Sequence, residues 1–153
     1  MKQLTLLILI KENQILLAMK KRGFGVGKWN GIGGKQAENE TIEETCVREC
    51  WEEINVKPKN LSSVGILNFY LNNQKTIDQK VFVYVAKTWE GEPSESEEMA
   101  PRWFKIDEIP YQNMWQDDIH WLPLVLNGKY VEGDFWFDDK DQLLKYSLNK
   151  INN

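Results

Sequence analysis

The chain has 153 residues, of which 42% are hydrophobic and 27% charged, a composition that excludes a disordered or fibrous protein and predicts one domain over residues 1–153. Nineteen basic and 23 acidic residues give a net charge of −4, which argues against long nucleic acid or an anionic membrane as a partner. No apolar stretch reaches the length of about 18 residues that a membrane span needs, and no targeting signal is visible. We therefore expect a cytoplasmic monomer and leave a nuclear or mitochondrial location open.

The first third of the chain predicts a hairpin, a loop and a helix. Two apolar runs of strand length, Leu4–Ile10 and Gln14–Met19, are separated by three polar residues, as in a hairpin. The glycine-rich segment Arg22–Gly34 has no regular period and predicts a loop. Thr41 opens a capping box, and the apolar spacing after it predicts a helix that ends near Asn55.

The rest of the chain alternates strand-like segments with one further helix. Asp117–Leu126 predicts the second helix, Trp89–Pro101 is acidic and expected to be exposed, and Leu143–Ile151 is ambiguous. Two helices among six or seven strands indicate an α+β layered fold. The segments rich in branched and aromatic residues, which predict strands, are Val64–Leu71, Lys80–Thr88, Arg102–Ile106 and Lys129–Phe137.

The cysteines and most of the tryptophans predict packing. Cys46 and Cys50 are four residues apart in the helical segment and are the only cysteines, which excludes a disulfide framework and argues against zinc. We expect both to be small core residues in a reducing compartment. Five tryptophans are likewise expected only to pack, and they are Trp29, Trp51, Trp89, Trp103 and Trp136.

Three glutamates of the first helix carry the first chemical signal. Glu49, Glu52 and Glu53 are spaced i, i+3 and i+4, so they share one face of the helix. Arg48 can pair with Glu52, but one arginine does not neutralise three glutamates. Hard oxygen ligands on a rigid element suit Mg²⁺ or Mn²⁺ that bridges to phosphates. The alternative is a solvated acidic face, which is the ordinary interpretation of an isolated Glu-x-x-Glu-Glu.

The sequence around these glutamates favours a metal site over a solvated acidic face. The segment from Gly34 to Val56 resembles the Nudix box: a glycine, five residues, Glu40, seven residues, Arg-Glu, a hydrophobic residue, any residue, Glu-Glu, any residue, a glycine and a hydrophobic residue. Every charged position matches, Cys50 fills the hydrophobic position, and Asn55 replaces the final glycine. Asparagine also tolerates the left-handed conformation that ends a helix. The dinucleotide and P-loop patterns do not fit.

The resemblance extends almost end to end to the branch of the Nudix family that hydrolyses oxidised purine nucleoside triphosphates. It is densest in Lys20–Gly34, in Glu97–Pro101, and in Met114–Asp118 followed by Trp121. It implies the Nudix α/β/α sandwich with a mixed sheet and two main helices. It also implies Mg²⁺-dependent conversion of nucleotides such as 8-oxo-dGTP and 2-hydroxy-dATP to the monophosphate and pyrophosphate, with Mn²⁺ as the alternative metal.

The same resemblance implies the site residues. The metal ligands would be the Gly33 carbonyl, Glu49, Glu52, Glu53 and Glu98. The catalytic set would be Arg48, Glu49, Glu52 and Glu53, with Glu53 or Glu52 as the base and Glu98 as a third candidate. The substrate-binding residues would be Thr5, Lys20, Phe24, Asn30, Ile32, Gly33, Gly34, Lys35, Phe69, Trp115, Gln116, Asp117, Asp118 and Trp121.

The chemistry of the segment around Asp117 supports a purine pocket. Trp115 and Trp121 flank two carboxylates, and aromatic rings stack on purines. Asp117 and Asp118 repel each other, so one of them can stay protonated when desolvated and can donate to a base as well as accept from it. The alternative is that Asp117 caps the second helix and both tryptophans belong to the core.

Two other functions stay open at this point. A Nudix hydrolase of another substrate, such as a dinucleoside polyphosphate, a capped RNA or a methylated purine nucleotide, would keep the box and differ in the pocket. A noncatalytic nucleotide-binding module would keep the fold and typically lose a box glutamate, whereas all are present here. Turnover of a panel of nucleotides separates these possibilities.

Overall fold

The computed structural model describes residues 1–152, which form ten strands and two α-helices. The helices are α1 (Ile42–Ile54) and α2 (Asp118–Leu126). The strands are β1 (Lys2–Lys11), β2 (Gln14–Lys20), β3 (Trp29–Asn30), β4 (Lys57–Lys59), β5 (Ser62–Tyr70), β6 (Gln79–Ala86), β7 (Thr88–Glu90), β8 (Met99–Lys105), β9 (Lys129–Phe137) and β10 (Leu143–Asn152).

The main sheet is mixed. Its strands run in the order β10-β9-β5-β6-β1-β2-β3, and β8 pairs with β2 off this path. The strand β1 is antiparallel to β2 and parallel to β6, and β5 is parallel to β9. The strands β4 and β7 form a separate two-stranded sheet. The α+β fold with a mixed sheet and two helices is therefore confirmed.

One helix covers each face of the sheet. The strand β1 is central, and its alternate residues face opposite sides: Leu7 and Leu9 join the core under α1, while Ile8 joins the core that contains α2. Burial on both faces explains why β1 reads as a continuous apolar run. Cys46 and Cys50 are free and buried in the α1 core, as predicted.

The helix α1 begins and ends where the sequence predicts. The Thr41 hydroxyl accepts from the Glu44 N–H at 3.1 Å, and the Glu44 carboxylate accepts from the Thr41 N–H at 2.8 Å, which completes the capping box. Asn55 lies just past the last turn with φ 60° in the left-handed region. This backbone conformation is the one that the asparagine substitution in the box implies.

Some predictions about the elements were wrong. Ten strands replace the expected six or seven, because β3, β4 and β7 are too short to show a periodic pattern and the ambiguous C-terminal segment is β10. Arg22–Gly34 is not wholly a loop, since it contains β3. Trp89–Pro101 is not wholly exposed, since Met99 is buried and Trp89 packs against Trp103. Trp51 is 56% exposed on α1 and does not pack in the core.

No helix among residues 1–152 is long and apolar enough to cross a membrane.

Candidate active site

A cavity of about 190 Å³ opens beside the central strands and gathers most of the predicted site residues. We call it the pocket. The predicted residues that line it are Thr5, Lys20, Phe24, Asn30, Gly33, Gly34, Phe69, Trp115, Asp117, Asp118 and Trp121. Sequence reasoning missed eight other lining residues, which are Leu4, Leu6, Gly31, Leu71, Gln79, Val81, Met99 and Phe137. Alternation was the available signal for one of them, because Leu71 follows the predicted Phe69 by two residues.

The walls of the pocket are aromatic. The Trp115 ring lies 5.1 Å from the Phe24 ring at a tilted angle, and it meets Phe137 edge-on at 5.9 Å. The Lys28 ammonium lies 5.2 Å from the Trp115 ring centre. Phe24 is 57% exposed although it touches Trp115, so it stands at the mouth of the pocket. The arrangement presents flat apolar surface to a planar ligand.

Two buried aspartates lie at the inner end of the pocket. Asp117 precedes α2 and makes no capping bond; instead its Oδ2 accepts from the Trp121 indole N–H at 2.8 Å. The capping alternative is therefore wrong for its side chain. Burial raises the pKa of both carboxyls, and repulsion from Asp117 raises that of Asp118 further. Burial therefore favours the protonated form at both carboxyls, and most strongly at Asp118.

Two polar atoms that line the pocket lack a hydrogen-bond partner within residues 1–152. They are the Thr5 Oγ1 and the Asp118 Oδ2, and both are buried. A buried polar atom without a partner costs about 1–3 kcal/mol. A ligand that carries polar groups on the edge of a flat ring would remove this cost.

Arg48 organises the outer face of α1. Its guanidinium donates to Glu40 at 2.8 Å and 3.0 Å, to Glu49 at 3.0 Å and to Glu52 at 3.2 Å. The Arg48 bond, the Ala37 N–H and other donors lower the pKa of Glu40 to about 2. The predicted pairing of Arg48 with Glu52 is confirmed, and Glu40 is a stronger partner that anchors the arginine before the helix.

The two glycines ahead of the helix lie in close contacts, and the contact at Gly33 requires glycine because it is with backbone. A Cβ on Gly33 would lie 1.8 Å from the Thr5 carbonyl oxygen, and a Cβ on Gly34 would lie 2.4 Å from the Glu49 carboxyl carbon. The Glu49 carboxylate thus packs directly against the backbone of Gly34. This close approach joins the carboxylate face of α1 to the strand that lines the pocket.

Glu53 is the buried member of the glutamate set. Its side chain is buried, and its Oε2 has no hydrogen-bond partner among the described residues. Burial, the nearby Glu49 charge and a hydrogen bond to Glu49 raise the pKa of Glu53 to about 9, while Lys20 opposes the shift. The folded protein therefore keeps Glu53 protonated at neutral pH unless a cation joins the two carboxylates.

The oxygen donors for a cation are near each other but not converged. No three acidic, histidine or cysteine side chains within residues 1–152 already surround a common point. Glu52 pairs with Arg48, and Glu98 lies 3.5 Å from Arg22. An all-oxygen set with one unpartnered buried carboxylate oxygen fits the ligand chemistry of a hard divalent cation.

Three predicted substrate residues lie outside the pocket. Ile32 is buried in the core under α1. Lys35 is exposed, and its carbonyl accepts from Arg48 at 3.2 Å. Gln116 points away to the turn between β9 and β10, where it bonds Gln142 and Leu143. The structure does not bring these side chains to the other predicted residues.

Comparison with known proteins gives the class. Residues 1–125 match the family model described as the NUDIX domain. The chain belongs to the Nudix family.

Within that family, the chain is similar to proteins named oxidized purine nucleoside triphosphate hydrolase. It is 43% identical to the one from Mus musculus over 148 residues, which cover 96% of this chain and 94% of that protein. It is also 43% identical to the one from Danio rerio over 151 residues, or 98% of this chain and 96% of that protein. A MutT protein structure from Bacillus halodurans superposes with a TM-score of 0.87 at 31% identity and covers 97% of this chain and 98% of its own.

Proposed function

We propose that this protein hydrolyses oxidised purine nucleoside triphosphates, of the 8-oxo-dGTP and 2-hydroxy-dATP type, to the monophosphate and pyrophosphate. The observation that carries the proposal is a pocket in which aromatic rings lead to two buried aspartates, next to the glutamate face of α1. The names of the mouse and zebrafish relatives support it.

The aspartates would recognise the base. A purine ring would stack on Trp115, which contributes about 1–3 kcal/mol. Of the two carboxyls, Asp117 and Asp118, an ionised one can accept from N–H groups of a guanine-like edge, and a protonated one can donate to a carbonyl or a ring nitrogen. Because the proton can move between the two carboxyls, one pocket can serve guanine-like and adenine-like edges. The unpartnered Thr5 hydroxyl would form a hydrogen bond with the same ligand.

The phosphates would lie toward α1. We propose Mg²⁺ as the cofactor, with Mn²⁺ as the alternative, held by the carboxylates and the glycine carbonyl that the sequence predicts. When bound, a divalent cation neutralises phosphate charge and lowers the pKa of a bound water. The proposed ligands are the Gly33 carbonyl, Glu49, Glu52, Glu53 and Glu98.

Side chains of α1 would accept the proton from the attacking water and hold the glutamates in place. Glu53 is the proposed general base, because it is buried and its Oε2 has no hydrogen-bond partner among the described residues. Glu52 is the alternative base. Arg48 would act by holding Glu49 and Glu52 in place rather than by touching substrate. Lys20, which lines the pocket near Glu53, would bind phosphate.

The test is turnover of a panel of oxidised, methylated and unmodified purine nucleotides and dinucleoside polyphosphates, with products identified. Asp117→Asn and Asp118→Asn should each lower kcat/KM for 8-oxo-dGTP by about 10- to 10³-fold, as expected for a mismatched buried hydrogen bond. Asp107→Asn, an exposed aspartate outside the pocket, is the matched control and should change nothing. Equal activity of both variants and the wild type on 8-oxo-dGTP would refute the proposed base recognition.

We further propose that residues 1–153 form one Nudix domain that acts as a cytoplasmic monomer. The alignment with the mouse protein covers 96% of the chain, and the main sheet joins β1 to β10. The free, buried thiols of Cys46 and Cys50 suit a reducing compartment. Size-exclusion chromatography with light scattering checks the oligomeric state.

A further inference from the structure

We propose that Gln116 is a positioning residue that ties the base-recognition segment to the turn between β9 and β10. The inference rests on the proposed function, because it assigns a role in base selectivity to a side chain that does not line the pocket. The base-recognition segment is defined here as residues 114–118, which contain Trp115 and both buried aspartates.

The tether consists of two hydrogen bonds that use both ends of the amide. The Leu143 N–H donates to the Gln116 Oε1 at 2.7 Å, and the Gln116 Nε2 donates to the Gln142 Oε1 at 2.9 Å. The partners are 26 and 27 residues further along the chain. Gln116 itself is exposed, so packing does not hold its side chain in this position.

The turn that receives the tether is itself fixed. The Asp138 carboxylate accepts from the Lys140 N–H at 2.8 Å and from the Gln142 N–H at 3.0 Å, and the Asp138 N–H donates to the Gln142 carbonyl at 3.0 Å. These bonds lower the pKa of Asp138. The tether therefore connects the segment to a rigid point.

The segment needs such a point because it is irregular. It follows a short 3₁₀ turn, and α2 begins only at Asp118. Gln116 lies between Trp115, which stacks, and Asp117, which reads the base edge. A shift of this residue moves the wall and the inner end of the pocket together, so the tether fixes the distance between stacking and hydrogen-bonding groups on which base selectivity depends.

The decisive comparison uses two substitutions of similar length. Gln116→Met keeps the bulk but cannot accept from Leu143. Gln116→Glu keeps an oxygen for the Leu143 N–H, and Gln142 can rotate its amide to donate to the second carboxylate oxygen. Gln112→Met, at an exposed glutamine in the preceding 3₁₀ turn, is the control for the loss of a surface amide.

We expect Gln116→Met to raise KM for 8-oxo-dGTP by about tenfold with kcat within about twofold, because the two hydrogen bonds that it removes order the pocket before the nucleotide binds. The preference for 8-oxo-dGTP over dGTP should fall by a similar factor. Amide hydrogen exchange of residues 114–118 in the ligand-free protein should accelerate about tenfold. Gln116→Glu should restore all three measurements, and Gln112→Met should leave them at wild-type values.

Unchanged exchange and unchanged selectivity in Gln116→Met would overturn the proposal. So would equal damage by Gln116→Met and Gln116→Glu, because it would mean that the amide itself, and not the tether, is needed. If the wild type does not hydrolyse 8-oxo-dGTP, the proposed function fails, and the exchange rates in the ligand-free variants still decide whether the tether orders the segment.

Discussion

Replacing Glu53 by glutamine should make the metal-free protein more stable while it destroys activity. The pKa of Glu53 is raised from 4.5 to about 9 in the folded state, first by burial and then by Glu49. A carboxyl with a raised folded pKa contributes stability that is fully present below pH 4.5 and is lost as the pH rises toward 9, because the unfolded chain ionises first. Glutamine cannot ionise, and its amide can still donate to the Glu49 carboxylate.

The size of the effect follows from the pH interval. One pH unit between the two pKa values is worth 1.36 kcal/mol, so at pH 7.5 the wild type has lost at most about 4 kcal/mol relative to pH 4.5. Partial hydration of the site reduces this, and we expect a gain of about 2–4 kcal/mol for Glu53→Gln. For a chain of this size that gain raises Tm by about 5–15 °C.

The assay is urea unfolding with a chelator at several pH values between 4.5 and 8.5. The difference between variant and wild type should grow with pH and vanish near pH 4.5. Saturating Mg²⁺ should stabilise the wild type more than Glu53→Gln, and turnover of the variant should fall at least about 10²-fold. Glu52→Gln is the matched control: Glu52 lies on the same helix but is exposed, so its substitution should not produce the pH-dependent gain.

A wild-type unfolding free energy that stays constant between pH 5 and 8 without metal would refute the reasoning, as would an equal gain for both glutamine variants. The first result would mean that Glu53 is ionised in the folded protein before any cation binds, and the second that the gain does not come from the buried carboxyl of Glu53.

Three further predictions concern the Nudix box and the glycine that precedes it. Gly33→Ala should destabilise the fold by more than about 2 kcal/mol in urea unfolding, because the new Cβ would lie 1.8 Å from the backbone oxygen of Thr5, which is not part of a flexible side chain. A stable, active variant would mean that the segment around Gly33 can move away from β1 without cost. Asn55→Gly should change stability by less than about 1 kcal/mol, because the relief of φ 60° is offset by loss of the 2.7 Å bond to the Ser94 hydroxyl, and a thermal melt checks it against the larger gain expected from φ alone. Glu40→Gln should lower both Tm and kcat, since it removes the anion that anchors the box arginine; melts and turnover at low and high salt would show whether the loss is electrostatic.

The elements that were predicted correctly are those whose determinants are local. The hairpin of β1 and β2 follows from two apolar runs around a polar turn, and both ends of α1 follow from residues within one turn of the helix. The strands β3, β4 and β7 have two or three residues each and exist because a partner strand is present. Pairing of that kind depends on positions far along the chain.

The site divides in the same way. Glu49, Glu52 and Glu53 share a helix face by spacing alone, but only the fold separates buried Glu53 from exposed Glu52. The family resemblance pointed to Thr5, which composition and periodicity could not have singled out. Gln116 is next to pocket residues along the chain, yet its side chain bonds a turn near Gln142. Side-chain direction at an irregular segment has no sequence period from which to infer it.

The parallel pairing of distant strands has a consequence for how this protein folds during its synthesis. The strand β1 pairs with β6 from Lys2 opposite Gln79 to Leu9 opposite Ala86, and the pocket takes its lining from Leu4 through Phe137. Contacts of such high sequence separation form late and slowly. In the emerging chain β1 can pair with β2, but its other edge has no partner until β6 has been synthesised, and the pocket cannot close until β9 has left the exit tunnel. The N-terminal strand therefore exposes one unpaired edge during synthesis, where chaperone binding would protect it from aggregation.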